Sequence, residues 1–280
     1  MKIAFIHIQD FPVQVEILDN PALRQTAVVI GGLPSGEGTV YACSRAARID
    51  GVQLGMTLRQ AEQLSPRATF LPLSRDLYDR AHKTLLGTLS PYSPFRESSA
   101  PGRIYLDASG LERLYGSDDE LVKRILRTIR DELNLLPQIG LAANKFTAET
   151  AARLSDPGAG QVVSPGTERE FLAPLPLILL PSSDDTYRLL GRLGLETIGQ
   201  VAEMPVGGLS RTFGKEGLLL HSHGQDSISR MQEDQLGLRR AQPAGEAQVV
   251  LHEAALKREE RLSKQRWEAR IKRKEHRVGP

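Results

Sequence analysis

The chain has 280 residues, of which 40% are hydrophobic and 25% charged, a balance typical of a globular protein with one large domain or two to three small ones. Its single cysteine, Cys43, excludes an internal disulfide and a cysteine-based zinc site. The sequence has no apolar run long enough to cross a bilayer, and its start, MKIAFIHIQDF, lacks a signal-peptide cleavage pattern. We therefore expect a cytoplasmic protein without a membrane partner.

Positive charge is concentrated at the C-terminal end of the chain, although the net charge is only +2. Residues 251–280 contain ten Lys/Arg and five Glu, whereas the preceding 250 residues contain 26 Lys/Arg and 29 Asp/Glu. A basic segment of this kind is a candidate contact for phosphate groups. The candidate residues are Arg270, Lys272 and Arg273. A solvated helix face has the same composition, so both interpretations stay open.

Strands and helices alternate through the first part of the chain. Residues 3–8 are almost all apolar, as expected for a strand covered on both faces, and His7 is their one titratable residue. Further strands are predicted at 27–30, 38–43, 104–107 and 138–142. Helices are predicted at 13–18, 45–49, 58–64, 77–89, 118–133 and 147–154. The alternation predicts helices packed on a layered sheet, an α/β (α+β) fold class.

From Pro165 onward the pattern changes to short helices joined by glycine turns. One such turn, RLGLETIG (192–199), is like a helix-hairpin-helix turn, whose glycines let the backbone approach a phosphate and whose second helix offers its first amides. The candidate DNA-binding residues here are Arg192, Gly194, Thr197 and Gly199. A plain helical connection is the alternative. Residues 231–280 are predicted to form a polar linker and a basic helical tail.

Several blocks, in the right order, resemble the Y family (UmuC/DinB-like) of translesion DNA polymerases. The main ones are FIHIQDFPVQVE (5–16), SPFRESSAPGRIYLDASG (93–110) and GLAANKFTAETAARLSDP (140–157). The resemblance covers about residues 1–230 and implies a ferredoxin-like palm with a small fingers insertion and a helical thumb. From the resemblance, we expect the family's little finger to be missing or truncated here. The implied domains are 1–10 with 71–163 (palm), 11–70 (fingers), 164–230 (thumb) and 231–280 (linker and tail).

The resemblance also indicates where catalytic metal ions would bind. Family members hold two metal ions on three carboxylates, and the corresponding positions here are His7, Gly102 and Arg103. Mg²⁺ needs anionic oxygen ligands, and a guanidinium repels it, so we predict no catalytic residue, no metal and no other cofactor. Mg²⁺ would bind only if shifted acids, Asp10 or Asp107, took over. Their odd offsets along the strands would require a β-bulge.

The nucleotide-contacting positions of the family are also altered. The aromatic residue that excludes ribonucleotides corresponds to Pro12, while its neighbour Phe11 remains. The fingers tyrosine corresponds to Arg45, and the arginine that follows it in the family is kept as Arg48. The late lysine corresponds to Asp156, which would repel a triphosphate. The nucleotide site is therefore predicted to be vestigial.

The segment GRIYLDASGLERLYG (102–116) is especially similar to the ImuB group, Y-family relatives without the catalytic acids. This likeness implies a non-catalytic adaptor in damage-induced (SOS) mutagenesis that links an error-prone replicative-type polymerase and a RecA-like accessory protein to the sliding clamp. Gln235, Leu236 and Leu238 fit a clamp-binding peptide, although a loop with two stray leucines is the alternative. Two other functions stay open: a divergent, active translesion polymerase that uses shifted acids, and a degenerate DNA-binding remnant.

Overall fold

The computed structural model describes residues 1–209, 211 and 213. The strands, in chain order, are β1 (Ile3–Ile8), β2 (Val28–Ile30), β3 (Ala42–Cys43), β4 (Thr69–Leu71), β5 (Arg96–Ala100), β6 (Arg103–Asp107), β7 (Pro137–Ala142) and β8 (Gly160–Val162). The helices are α1 (Phe11–Asp19), α2 (Arg45–Ile49), α3 (Leu58–Leu64), α4 (Arg75–Thr88), α5 (Glu112–Tyr115), α6 (Asp118–Leu133), α7 (Lys145–Leu154), α8 (Glu168–Leu172), α9 (Asp184–Arg192) and α10 (Ile198–Glu203). None of these helices is long and apolar enough to cross a membrane.

The main sheet has the order β5-β6-β1-β7-β8, in which β1 is antiparallel to both β6 and β7. β5 is antiparallel to β6, and β8 runs parallel to β7. The succession β1-α4-β5-β6-α6-β7 therefore has the ferredoxin-like arrangement that the resemblance implies. The predicted α/β (α+β) fold class is confirmed.

β1 is apolar except for His7, because helices cover both faces of the sheet around it. Ala4, Ile6 and Ile8 point into a core that α4 and α6 close. Phe5, on the opposite face, packs with the alanines of α7. The alternation of side chains along a strand thus divides β1 between two cores, and His7 falls on the α7 face.

A smaller sheet, β3-β2-β4, lies within the segment between β1 and α4, together with α2 and α3. It has its own buried cluster, which includes Val29, Val40 and Leu58. Thr57 begins α3 with a capping box, in which its side chain and that of Gln60 each accept the other's backbone amide. This insertion corresponds to the predicted fingers. The predicted boundary at residue 70 falls inside β4, and the domain boundaries stay predictions.

Three local predictions were wrong. The strand predicted at 38–43 is reduced to Ala42–Cys43, with Thr39 in a single bridge to Thr57. The strand β5 was missed because its sequence, RESSA, is polar; it lies at the edge of the sheet, where polar side chains are tolerated. The helix predicted from residue 13 begins at Phe11, because Pro12 fits the first turn of a helix.

The seat of α7 on the sheet depends on Gly140 of β7. A Cβ atom at this position would lie 1.9 Å from the carbonyl oxygen of Ala148 and 2.6 Å from the amide nitrogen of Ala152. Only glycine therefore allows the helix backbone to approach the strand this closely. Lys145 and Glu149 on α7 reach the neighbouring strands as a result.

We expect Gly140→Ala to lower the free energy of unfolding by about 3 kcal/mol, because helix backbone must move to admit a methyl group. The matched control is Gly87→Ala in α4, where a Cβ meets no atom within 4 Å. This control replaces a helical glycine and should raise the free energy of unfolding by about 0.5–1 kcal/mol. Urea denaturation of both variants measures the difference. Equal stabilities would contradict the packing of α7 on Gly140.

Candidate functional site

The end of β1 places His7 between two neighbouring strands, opposite Arg103 on β6 and Gln138 on β7. Burial, and then the positive charge of Arg103, lower the pKa of His7 to about 4, so its imidazole is neutral at pH 7. Its Nδ1 is buried and has no hydrogen-bond partner within the described part of the chain. A neutral imidazole supplies nitrogen and no charge, whereas Mg²⁺ prefers anionic oxygen ligands.

Gly102 forms the turn between β5 and β6 and is fixed by hydrogen bonds on both sides. Its amide donates to Nδ1 of His82 over 3.2 Å, and its carbonyl accepts the amide of Ile8 over 2.8 Å. Because His82 Nδ1 is the acceptor, its Nε2 donates to the hydroxyl of Ser98 over 2.7 Å. This network locks the turn against the end of β1.

No other residue fits the position of Gly102. Its φ is +77°, in the left-handed region that favours glycine, and a Cβ atom would lie 2.6 Å from Cβ and 2.7 Å from Cγ of Phe11. Phe11 is a core residue, 2% exposed, with its ring edge-on to His82 at 6.2 Å between centroids. An aspartate at this position would therefore clash with the core.

Arg103 projects from β6 toward α7, where it forms an ion pair with Glu149. The other carboxylate oxygen of Glu149 accepts a hydrogen bond from the Tyr105 hydroxyl over 2.7 Å. Burial and this contact with Glu149 raise the pKa of Tyr105. The Arg103 guanidinium also lies over the Phe5 ring, 5.5 Å from its centroid. A second ion pair, between Lys145 and Glu97 at 2.7 Å, lies beside Tyr105. We call the five residues of these contacts the palm ion-pair network: Glu97, Arg103, Tyr105, Lys145 and Glu149.

This donor set does not fit the magnesium ions that the fold family implies. The three corresponding positions supply a neutral imidazole, a glycine backbone and a guanidinium, and the nearby carboxylate of Glu149 is already bound through both oxygens. Among the described residues, no group of three or more His, Cys, Asp or Glu is placed to hold a metal ion. The assignment of no metal and no catalytic residue stays a prediction.

The acids proposed as replacements are engaged elsewhere. Asp10 precedes α1 with φ of +54° and gives both carboxylate oxygens to Arg48, at 2.6 and 2.5 Å. The Asp107 carboxylate accepts a hydrogen bond from the amide of Ser109. In the sheet, Asp107 lies opposite Ile3, which is four residues, or about 13 Å along β1, from His7. The two acids therefore do not converge on one site.

The four residues predicted at the vestigial nucleotide site differ in burial and in contacts. The ring of Phe11 belongs to the core, Pro12 is half-buried in α1, and Arg45 is exposed at the start of α2. The Arg48 guanidinium donates hydrogen bonds to the Asp10 carboxylate and, over 3.0 Å, to the Cys43 carbonyl oxygen. An internal carboxylate thus occupies Arg48, the arginine that is kept from the family pattern. The predicted nucleotide contacts stay predictions.

The turn between α9 and α10 does not offer the free amides that the sequence predicts. The amide of Ile198 donates to Leu175 O over 2.9 Å, that of Gly199 to Ala173 O over 3.0 Å, and that of Gln200 to the Thr197 hydroxyl. The Gln200 side chain accepts the amides of Glu196 and Thr197. Neighbouring groups in the chain already satisfy these amides, which favours the alternative of a plain helical connection, and phosphate binding at this turn stays a prediction.

Each glycine of this turn has a structural role. Gly199 packs on Ala173, since a Cβ would lie 2.9 Å from the Ala173 Cβ, and Gly194 has φ of +73° at the end of α9. Arg192 is exposed at the last position of α9 and keeps its predicted role in DNA binding as a prediction. The predicted clamp residues and the basic tail lie outside the described residues: Gln235, Leu236, Leu238, Arg270, Lys272 and Arg273.

Sequence reasoning missed Glu149 and His82, although both define the site. Lys145, Glu149 and Arg153 follow each other at intervals of four along α7, a spacing that places them on one side of the helix and was visible in the sequence. Their partners on β5 and β6 lie more than forty residues away in sequence. His82 carried no sequence signal, because its partners, Gly102 and Ser98, belong to a distant turn.

We expect Gly102→Ala to lower the free energy of unfolding by about 2 kcal/mol or more, because it combines an unfavourable φ with a clash against Phe11. Gly110→Ala is the matched control, since Gly110 has φ of +79° but open space where its Cβ would lie. The control should cost about 1 kcal/mol. Thermal or urea denaturation compares them, and equal losses would contradict the contact with Phe11.

Known proteins share this arrangement of palm and fingers. Residues 6–153 match the family model described as the impB/mucB/samB family. A DNA polymerase IV from Dehalococcoides mccartyi is 33% identical over 214 residues, which are 76% of this chain and 55% of that protein. A DNA polymerase IV from Yersinia pseudotuberculosis is 33% identical over 228 residues, 80% of this chain and 65% of that protein. The chain thus spans about half to two-thirds of the length of these relatives.

Solved structures agree with the sequence matches. The crystal structure of DinB from Sulfolobus solfataricus has a TM-score of 0.75 and 26% identity, covering 82% of this chain and 68% of that one. A ternary complex of the polymerase Dbh has a TM-score of 0.73 and 25% identity, with the same coverage. Since the matched family segment includes just over half of the residues, the chain belongs to the impB/mucB/samB family, within the Y family of DNA polymerases and their relatives.

Proposed function

We propose that the chain is a non-catalytic, polymerase-like adaptor in DNA repair and translesion synthesis, similar to the ImuB group. One observation carries the proposal: the three positions that hold metal-binding carboxylates in the family are His7, Gly102 and Arg103. The structure adds that Gly102 has no room for a side chain and that Arg103 is paired with Glu149. The palm therefore keeps the family architecture without the chemistry of two-metal phosphoryl transfer.

The nucleotide side of the cleft supports the same proposal. Arg48 is bound by the Asp10 carboxylate through a two-pronged contact, the geometry by which a guanidinium also binds phosphate. An incoming triphosphate would have to displace this carboxylate. The exposed Asp156 adds a further negative charge at a position that the family gives to a lysine. DNA without a nucleotide is thus the ligand that we assign to this protein.

An active, divergent polymerase is the second candidate, because relatives at 33% identity are named DNA polymerase IV. This function would need Asp10 and Asp107 to replace the missing ligands and Mg²⁺ as cofactor. Their positions at opposite ends of β1, with Asp10 already paired to Arg48, favour the non-catalytic proposal. A degenerate DNA-binding remnant remains as a third function and differs from the adaptor only in its partners.

We expect no primer extension by the full chain with Mg²⁺ or Mn²⁺, because the part of the chain that the structure describes has no carboxylate cluster to position the metals. A gel assay on primer–template DNA measures this, with the Yersinia pseudotuberculosis DNA polymerase IV as the active reference. Metal-dependent extension that disappears in Asp10→Ala or Asp107→Ala would establish the polymerase instead. Extension that survives both substitutions would point to a contaminating enzyme.

The adaptor function requires protein partners, and the sequence QLGL (235–238) proposes the first of them. A glutamine followed by two leucines fits a sliding clamp, because the amide forms directional hydrogen bonds while the leucines fill an apolar pocket. An error-prone replicative-type polymerase and a RecA-like accessory protein are the further partners that we propose. The basic tail, with Arg270, Lys272 and Arg273, would add contacts to DNA phosphates.

We expect the full chain to retain the sliding clamp in a pull-down, and Gln235→Ala or Leu238→Ala to reduce retention at least about tenfold, the loss typical of one interface anchor. Arg239→Ala, beside the same motif, serves as the control and should keep retention. Undiminished retention by both alanine variants would show that another segment holds the clamp. Absence of retention by the unsubstituted chain would favour the DNA-binding remnant.

A further inference from the structure

One side of α7 presents a row of charged residues to the half-open face of β6. Lys145, Glu149 and Arg153 are spaced by four residues and thus lie along one side of the helix. α7 packs over β1 and β7, and Arg103 on β6 keeps 38% of its side chain exposed beside it. The row therefore borders a surface that a ligand approaching the palm would meet.

Both carboxylates of this surface contact side chains of the surface itself. Glu149 binds Arg103 and Tyr105 through separate oxygens, and Glu97 binds Lys145. Arg153 is exposed and forms no ion pair with any residue that the structure describes. Three cations thus face two carboxylates, so that the palm ion-pair network together with Arg153 carries a surplus of one positive charge.

The surplus charge is located beside His7. Burial is the main cause that lowers the pKa of this histidine to about 4; the positive charges of Arg103 and Arg153, both close enough to act on the ring, also lower it, whereas the negative charges of Glu149 and Asp10 raise it. The His7 ring is consequently neutral and adds no competing charge at pH 7. A neutral, partly buried imidazole near the guanidinium groups of Arg103 and Arg153 is an environment that favours an anion.

We infer that Arg153, with Arg103 beside it, binds a phosphate group of a DNA strand at the palm without a divalent metal ion. The inference rests on the proposed function, in which DNA reaches the palm but no nucleotide is incorporated. Phosphate oxygens match the forked donors of a guanidinium, and Arg103 is held in place by Glu149 and Phe5. In a site lined by free carboxylates, a metal ion would be needed between the carboxylates and the phosphate. Here the guanidinium groups themselves supply the positive charge.

The test measures binding of a fluorescent primer–template DNA to the full chain by anisotropy, in EDTA and in Mg²⁺, over a range of salt concentrations. We expect the dissociation constants in the two buffers to agree within about twofold at matched ionic strength, since no site for the metal is involved. Arg153→Glu should weaken binding about tenfold and reduce the slope of log K against log salt by about 1. Arg153 is exposed and has no ion pair within residues 1–209, so this substitution should leave the fold unchanged.

Arg127→Glu is the matched control, because Arg127 is an exposed helical arginine on α6, at the opposite face of the sheet. It makes the same change in net charge and should leave affinity nearly unchanged. Equal weakening by both variants, loss of binding in EDTA, or no binding at all would overturn the inference. If a fluorescent deoxynucleoside triphosphate binds in EDTA and Arg153→Glu abolishes that binding, the site belongs to a nucleotide and the inference is also wrong. The proposed lack of catalysis is judged separately, by primer extension.

Discussion

The ion pair between Arg103 of β6 and Glu149 of α7 joins the central sheet to a helix at the point where the family places its catalytic metals. It depends on the close seat of α7 on Gly140, which brings Glu149 within reach of Arg103 and Tyr105. A guanidinium on a half-buried strand would be unfavourable without this carboxylate, because burial of an unpaired charge is costly. The pair therefore supplies the opposite charge that Arg103 needs at this partly buried position, and the absence of metal chemistry there stays a proposal.

A second ion pair joins the end of β1 to the inserted small domain. Asp10 precedes α1 in a left-handed conformation and binds Arg48 of α2 through both carboxylate oxygens. The contact joins the end of β1 to the inserted small sheet without any nucleotide. The structure thus neutralises Arg103 and Arg48 with its own carboxylates, Glu149 and Asp10.

In the segment predicted to be the thumb, the groups that find partners within the chain are backbone amides. The turn between α9 and α10 folds against residues 173–177, whose carbonyl oxygens accept the amides of Ile198 and Gly199. A capping box formed by Thr197 and Gln200 takes up three more. Helix starts bind phosphate only with amides that the chain leaves free. Any contact with DNA in this part must therefore come from exposed side chains such as Arg192.

The sequence by itself determined the alternation of strands and helices and the largely apolar β1 covered on both faces; the resemblance added that His7, Gly102 and Arg103 stand where the family has carboxylates. These features are local or periodic, because burial imposes a repeat of two on strands and of 3.6 on helices. Only the tertiary structure decided that Glu149 neutralises Arg103, that Gly102 lies against Phe11, and that the thumb amides are occupied. Each of these contacts joins residues distant in sequence or is a hydrogen bond between two backbone groups. No periodic pattern in the sequence indicates which partners the folded chain brings within hydrogen-bonding distance.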